Sequence, residues 1–301
     1  QALATVEFSG SSKAEIFIHA TRPVGVLRLR GLTDAKFHVR APAFSGEVKN
    51  VGAGGIGAGD LSQLGYSPPV ESSGEGFCSF QQQGWDDFQF AVHLGWREKD
   101  GEILAVWSIA SSSEDEDVMG IARRRVEIAL EEGFETLFKS HCEWWEKFWA
   151  QSSLSLPDKQ LEQQWFLENY KFGAAARRDT PPITLQGPWT ADNGELPPWH
   201  GDYHHDLNTQ LSYWPCYSGN HLEEGLGFLD WLWETRDNCK EWTRKFFDMP
   251  GLNVPMTADL NNNQMGGWRQ YTHSSTTAAW LAHHFYLHWR YSADRDFLSA
   301  R

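Results

Sequence analysis

The sequence predicts a β-rich region followed by an all-helical one, and three observations carry that prediction. Apolar residues alternate over short runs up to residue 112, the period of a half-buried strand, and recur every three or four residues from Val118, the period of a helix face. Composition changes too: Trp85, Trp96 and Trp107 are the only early tryptophans, and the other thirteen fall between Trp144 and Trp289. Turn residues crowd the first region, whereas Pro- and Gly-marked loops separate longer helical patterns in the second. Residues 1–112 are therefore assigned to a β domain, 113–157 to a helical linker and 158–301 to a helical domain.

Within the first region, residues 14–19 and 26–30 read as strands, the latter through alternating Leu27, Arg28, Leu29 and Arg30. Residues 51–59 hold five glycines but neither a GxGxxG nor a phosphate-cradling Lys-Ser/Thr, and read as a surface loop. Residues 88–96 and 102–109 flank Lys99-Asp100-Gly101, a hairpin signal because both central residues need positive φ. Ser111-Ser112-Ser113 and the acidic run Glu114 to Asp117 supply a cap and negative charge for a helix start. The helix breaks near Gly133 and resumes through Phe134, Leu137, Phe138, Trp145 and Trp149. Beyond Pro157, helices are predicted near 160–178, 208–215, 222–248 and 274–291, with no convincing strand.

Helical segments joined by loops rich in Trp, His, Asp and Asn imply a toroid of helical hairpins with a site at one mouth. Twelve helices with their loops need on the order of 300 residues, and about 143 follow residue 158, so a closed double ring is not completed here.

Charge and cysteine content narrow the function. Lys plus Arg number 26 against 40 Asp plus Glu, a formal charge of -14, with no basic run to neutralise phosphates; nucleic acid and anionic membranes are not expected partners. The longest apolar run, 103–110, contains a serine and falls far short of the roughly 20 residues of a membrane span, so no membrane insertion is expected. Four scattered cysteines form neither a CxxC pair nor a dense framework. The first residues show no charged segment, apolar stretch and small-residue cleavage site in series, so any export signal was removed or never included.

The densest polar-aromatic stretch, residues 182–215, includes Gln186, Trp189, Trp199, His204, Asp206 and Asn208. Indole faces backed by amide, carboxylate and imidazole groups suit a sugar, whose apolar face packs on the ring while its hydroxyls take directional hydrogen bonds. An aromatic core loop with satisfied polar groups is the plainer alternative. Asp206 and Asn208, two apart, would diverge by about 200° in a helix, so they precede or open one. There Asp206 is either an N-cap or, with Asn208, a holder of water; a carboxylate can take a proton from that water, and an amide can only orient it.

Five short blocks in this stretch carry a resemblance: Leu185-Gln186-Gly187-Pro188-Trp189, Pro197-Pro198-Trp199, Asp202-Tyr203-His204, Asn208 and Tyr213-Trp214-Pro215. Together they resemble the signature region of glycoside hydrolase family 95, the inverting α-L-fucosidases and α-L-galactosidases. The similarity extends over roughly residues 85–301. It implies an N-terminal β-sandwich, a helical linker and an (α/α)6 barrel, here incomplete, that would act on a terminal α-L-fucoside or α-L-galactoside of a glycan. It also implies export to a periplasm or the cell exterior. In the family, two asparagines of a His-x-Asn-x-Asn block position the attacking water, aided by a later aspartate, and a glutamate in a later Ser-Pro-Glu segment is the general acid. His204 and Asn208 match the block, and Asp206 replaces its first asparagine. No Ser-Pro-Glu occurs, so the acid is expected beyond residue 301. Asp206 and Asn208 are the catalytic candidates, with Gln186, Trp189, Trp199, His204 and Trp268 as substrate contacts. The loop Asn261-Asn262-Asn263 before Trp268 is a further pocket-lining segment by the same analogy.

Competing signals are weaker. His284 and His288 stand four apart on a helix, but Phe285 takes the place of the HExxH glutamate and no third ligand is evident, so no metal and no cofactor is assigned. Trp231, Trp233, Leu226, Phe228 and Leu229 read as helix packing. Glu143, Glu146, Glu223 and Glu224 read as solvated helix faces. No GxSxG elbow supports a serine hydrolase. A non-catalytic carbohydrate-binding relative stays open. So does a phosphorylase on the same scaffold, although no Arg or Lys lies between Arg178 and Arg236 to hold phosphate.

Overall fold

The computed structural model describes residues 1–10, 12–32, 34–41, 65–187, 201–265 and 274–301. The glycine-rich segment 51–59 and the substrate-contact candidates Trp189, Trp199 and Trp268 lie outside the described residues. The chain divides into two compact units, with the boundary between residues 147 and 148.

The first unit is built on a seven-stranded antiparallel sheet of β1 (Ala4–Glu7), β2 (Lys13–Ile18), β3 (Val24–Arg30), β4 (Val70–Gly74), β5 (Phe77–Gln83), β6 (Gln89–Lys99) and β7 (Glu102–Ser111). The strand order is β1-β2-β3-β7-β6-β5-β4. The β6–β7 hairpin closes as its sequence requires: Asp100 and Gly101 sit at φ 54° and 75°, and Lys99 pairs with Glu102.

Alternation along β3 divides its side chains between two cores. Val24 and Val26 join Phe17, Val106, Val126, Ala129, Phe134 and Leu137 in a core under α1 (Val118–Glu132) and the start of α2 (Phe134–Ala150). Leu27 and Leu29 face the other way, with Ala14, Ile103 and Trp96. Arg28 shares the helix side and is nearly buried, so it needs paired charge. It bonds Glu15 at 2.7 Å and Glu135 at 2.5 Å, and its guanidinium sits 3.4 Å from the Phe134 ring centre. Burial pushes the Glu15 carboxyl up, but hydrogen bonds from Lys13 and Arg28 outweigh it and hold the group below its ordinary range.

The cap of α1 corrects the serine expectation. Ser111 ends β7, and Asp117 is the N-cap, accepting from the Gly120 amide at 2.9 Å. A carboxylate next to the first turn both satisfies a free N–H and meets the positive end of the helix dipole. Gly133, at φ 79°, ends the helix.

The second unit contains α3 (Lys159–Ala175), α4 (Asn208–Ser218), α5 (Leu222–Glu234), α6 (Arg236–Phe247), α7 (Thr277–Ser292) and α8 (Arg295–Ala300). No closed ring of helices forms among the described residues. Asp158 caps α3 through the amides of Gln160 and Leu161. The core joins α4, α5 and α7 through Tyr213 stacked on Phe228 at 4.5 Å, and Phe228 edge-on to His284 at 5.4 Å. Three expectations change here. The predicted 222–248 helix breaks at Thr235, whose hydroxyl turns back to the Trp231 carbonyl at 2.7 Å. Two short strands, β8 (Tyr203–His204) and β9 (Thr257–Ala258), pair where no strand was expected. Glu224 is buried rather than solvated, because it shares the inner face of α5 with Phe228 and Trp231, four and seven residues on.

Candidate functional site

The centre of the second unit's polar region is the stretch from Asp202 to Gln210, in which an extended strand gives way to α4. Tyr203 pairs with Ala258 and His204 with Thr257. The Asp202 carbonyl accepts from the Leu185 amide at 3.0 Å, which brings the turn Thr184–Gly187 and its Gln186 beside β8. Tyr213, from α4, receives the Ile183 amide on its hydroxyl at 2.8 Å, and the Tyr203 hydroxyl donates to the Pro182 carbonyl at 3.1 Å. Burial pushes both phenols up, so each stays neutral and structural.

Asp206 is not the helix cap. Leu207 occupies that position, no side chain caps the helix, and Asn208 is the first residue of α4. The carboxylate is thereby left without the bond that the plainer reading required. Asp206 Oδ1 is buried and has no hydrogen-bond partner, and so are Gln186 Oε1 and Gln210 Oε1. Buried polar atoms in folded proteins are almost always paired, so each of these oxygens is a candidate contact for a polar guest. His204 stands at the same strand end, its Nε2 3.0 Å from Asp202 Oδ1. Asn208 is half-buried beside it in sequence.

His205, which points the other way, anchors the stretch. It is fully buried, stacked beside Tyr203 at 6.2 Å and tilted against Trp231 at 5.7 Å. Its Nε2 meets Asn262 Oδ1 at 3.0 Å; Asn262 Nδ2 donates to Thr235 Oγ1 at 2.9 Å, and Thr235 donates on to the Trp231 carbonyl. Followed from that carbonyl, each donor in the series is fixed, so His205 carries its proton on Nε2 and leaves Nδ1 bare. Burial pushes its pKa down to about 4, and the ring is neutral at ordinary pH. The loop holding Asn262 is braced in turn: Asp259 Oδ1 accepts the amides of Asn261 and Asn263, and Trp231 Nε1 donates to the Leu260 carbonyl at 2.6 Å.

The structure places His204, Asp206 and Asn208 in succession at the β8-to-α4 junction and the turn that carries Gln186 alongside Asp202. It ties in Asn262, from the loop that the resemblance offered as pocket-lining, and adds Trp231, Thr235 and Gln210, which were not among the site candidates from sequence. The triple asparagine was visible as a loop, but nothing in its composition named His205 as its partner 57 residues away. Trp231, read as packing, also supports the strand end, with Tyr203 4.6 Å from its ring.

The histidine pair on α7 is occupied by packing. Tyr217 OH lies 2.9 Å from His284 Nδ1, and His288 sits against Phe297 at 4.4 Å. Both histidines are buried, and burial pushes His284 down to about 4. Among the described residues, no group of three His, Cys, Asp or Glu side chains converges as a ligand set.

Comparison with known proteins places this arrangement. The family model described as the glycosyl hydrolase family 95 catalytic domain matches residues 120–301, more than half of the chain. The chain belongs to that family. Two curated relatives are similar to part of this chain. Alpha-L-fucosidase 2 of Arabidopsis thaliana is 25% identical over 134 residues, covering 44% of this chain and 16% of the relative. Probable alpha-fucosidase A of Aspergillus niger (strain ATCC MYA-4892 / CBS 513.88 / FGSC A1513) is 28% identical over 143 residues, 42% of this chain and 16% of the relative. The chain thus spans about a sixth of the length of the curated relatives it matches. The matched region contains every residue of the candidate site.

Proposed function

We propose that this family 95 chain forms part of a glycoside hydrolase that removes terminal α-L-fucose, or the related α-L-galactose, from glycans with inversion at the anomeric carbon. The observation that carries this reading is the unpartnered, buried Asp206 Oδ1 at the strand-to-helix junction, two residues before Asn208. In this reading Asp206 takes the proton of the attacking water and Asn208 orients it. His204 and Gln186 bind sugar hydroxyls, and Trp189, Trp199 and Trp268 supply the apolar platforms. Inversion needs a carboxylic acid on the opposite face of the sugar, roughly 6.5 to 9.5 Å from the base. The resemblance assigns that acid to a Ser-Pro-Glu glutamate, a segment absent from these 301 residues. The scaffold that accompanies this proposal is a β-sandwich before an (α/α)6 barrel, in an exported protein. The names of the two relatives, both fucosidases, support the choice of sugar.

The test is the full-length enzyme on an aryl α-L-fucoside and an aryl α-L-galactoside, with the released anomer followed by proton NMR. The β-sugar should appear first, and Asp206→Ala should lower kcat by about 10²- to 10⁴-fold, the usual worth of a general base. Appearance of the α-anomer first, or an Asp206→Ala variant of unchanged kcat, overturns the mechanism. Retained ligand binding without turnover would make the site one of recognition, and a requirement for inorganic phosphate would make the enzyme a phosphorylase.

A further inference from the structure

The first unit holds an open cavity of about 880 Å³ between the outer strands β4, β5 and β6 and helix α1. Strand register explains how it forms. Ser72 pairs with Ser79 and Ser79 with His93, so a row of short and polar side chains crosses three strands on one face. Gln81 lies two residues along from Ser79 on the same face. Over this floor, α1 contributes an apolar wall of Met119, Val126 and Leu130. Phe77 lies at one end of the floor, its ring stacked on His93 at 5.7 Å.

His93 is the deciding residue. It is 6% exposed, lines the cavity, and its Nδ1 is buried without a partner. Burial, and then the nearby Arg123, push its pKa down, so the ring is neutral and offers one donor and one acceptor. The charges on the wall are already spent on each other: Arg123 bonds Glu127 at 2.8 Å. Glu75, Glu98 and Arg97 complete the charged lining, giving three acids to two bases, a net negative balance that disfavours an anion. Neutral hydroxyl, amide and imidazole groups on one side and an apolar strip on the other match a molecule with hydroxyls at its edges and C–H faces between them. The volume falls within the roughly 300 to 1,000 Å³ of small-ligand sites and admits more than one pyranose ring.

We propose that this groove is a second, non-catalytic binding site for a neutral oligosaccharide, distinct from the candidate site of residues 186–208. It goes beyond hydrolysis: the groove would hold a glycan chain independently of any bond cleaved elsewhere.

Affinity electrophoresis of the full-length protein in gels containing xylan, glucomannan or xyloglucan tests it, with calorimetric titration of xylohexaose, cellohexaose and mannohexaose. All are run in an Asp206→Ala background so that turnover plays no part. At least one of these glycans should retard the protein. His93→Phe, which keeps the ring stack but removes both nitrogens, should weaken binding at least tenfold. Ser72→Trp, on an exposed edge strand, should block the groove and do the same without touching the core. Aryl glycoside hydrolysis by the corresponding single variants should be unchanged. Absence of binding to every probe at roughly millimolar concentration, or binding indifferent to both substitutions, overturns the proposal. Because binding is read without turnover, failure here leaves the hydrolase reading standing, and failure of that reading leaves this one standing.

Discussion

The two units treat buried polarity in opposite ways. In the sheet unit, both ring nitrogens of His19 and His141 are engaged: His19 accepts from the Thr21 amide and meets Ser140, and His141 accepts from the Ala20 amide and meets the Gln1 carbonyl. The buried Arg28 is likewise matched by Glu15 and Glu135. In the helical unit, His205 Nδ1, His284 Nε2 and both nitrogens of His221 are buried with no hydrogen-bond partner, as are Asp206 Oδ1 and Gln210 Oε1, although His221 Nδ1 lies 4.0 Å from Glu224 Oε2. Paired buried groups hold a fold in one arrangement, whereas unpaired ones store a cost that a ligand or a network can offset. The contrast sets the scaffold apart from the candidate site, and of the exceptions in the sheet unit, Gln82 Oε1 and His93 Nδ1, the second lines the groove.

The largest test of this contrast is Arg28→Met. It leaves Glu15 buried without its principal partner and should cost about 3 to 5 kcal/mol in chemical denaturation. Glu15→Leu combined with Arg28→Met should recover most of that loss. A single variant of near wild-type stability would show that the network does not hold the sheet unit together.

Acid should affect the helical unit more. Burial holds His205, His221 and His284 down at about 4, and in the sheet unit holds His19 at about the same value. Their unfolded forms titrate near 6.5, so between there and 4 the unfolded chain binds more protons. Stability is complete above about 6.5 and falls with pH, by about 1.4 kcal/mol per unit for each histidine. His221 stacks flat on Phe148 at 3.8 Å, so His221→Phe should preserve packing and remove one proton's worth of slope, a gain of about 2 kcal/mol at pH 5 by calorimetry. An unchanged slope would mean that His221 protonates without unfolding.

Asn262→Ala should cost about 1 to 3 kcal/mol by leaving His205 Nε2 unpaired. Because Asn262 sits at φ 60°, Asn262→Gly should be less damaging by roughly 1 kcal/mol while losing the same bond. Equal losses would remove the backbone from that account. Both variants should lower kcat without raising the fraction unfolded at assay temperature if the His205 anchor positions Asp206. The smallest effect is Gly101→Ala, where φ is 75° and a Cβ meets nothing within 4 Å: about 1 kcal/mol of strain, read as a lowered Tm.

What was legible in the sequence follows the range of the interaction that fixes each feature. Asp100-Gly101 announced its hairpin because the constraint is local dihedral geometry. The long strands β6 and β7 alternate clearly, but β1 and β4 are wholly exposed and lack an apolar face to reveal them. The α5–α6 break depends on one hydroxyl choosing a carbonyl four residues back, too slight a signal against strong helical spacing on both sides. Composition singled out the Gln186–Asn208 stretch as a candidate, since amide, carboxylate and imidazole groups concentrate there beside aromatic rings. It could not reveal the role of Asn262, because pairing across 57 residues depends on how β8 and β9 come together.

The order of the seven strands bears on the protein's synthesis. β3 sits at the sheet's interior, yet its second neighbour is β7, and the Arg30–Glu102 pairing spans 72 residues. As the chain leaves the ribosome, β1 to β3 emerge as a meander whose last strand offers an open row of amides and carbonyls and an apolar flank. That edge is exposed until residues 102–111 follow, and contacts so distant form late. Crowded nascent chains could join at this edge, so a chaperone that shields β3 during translation would protect yield with no effect on the finished protein.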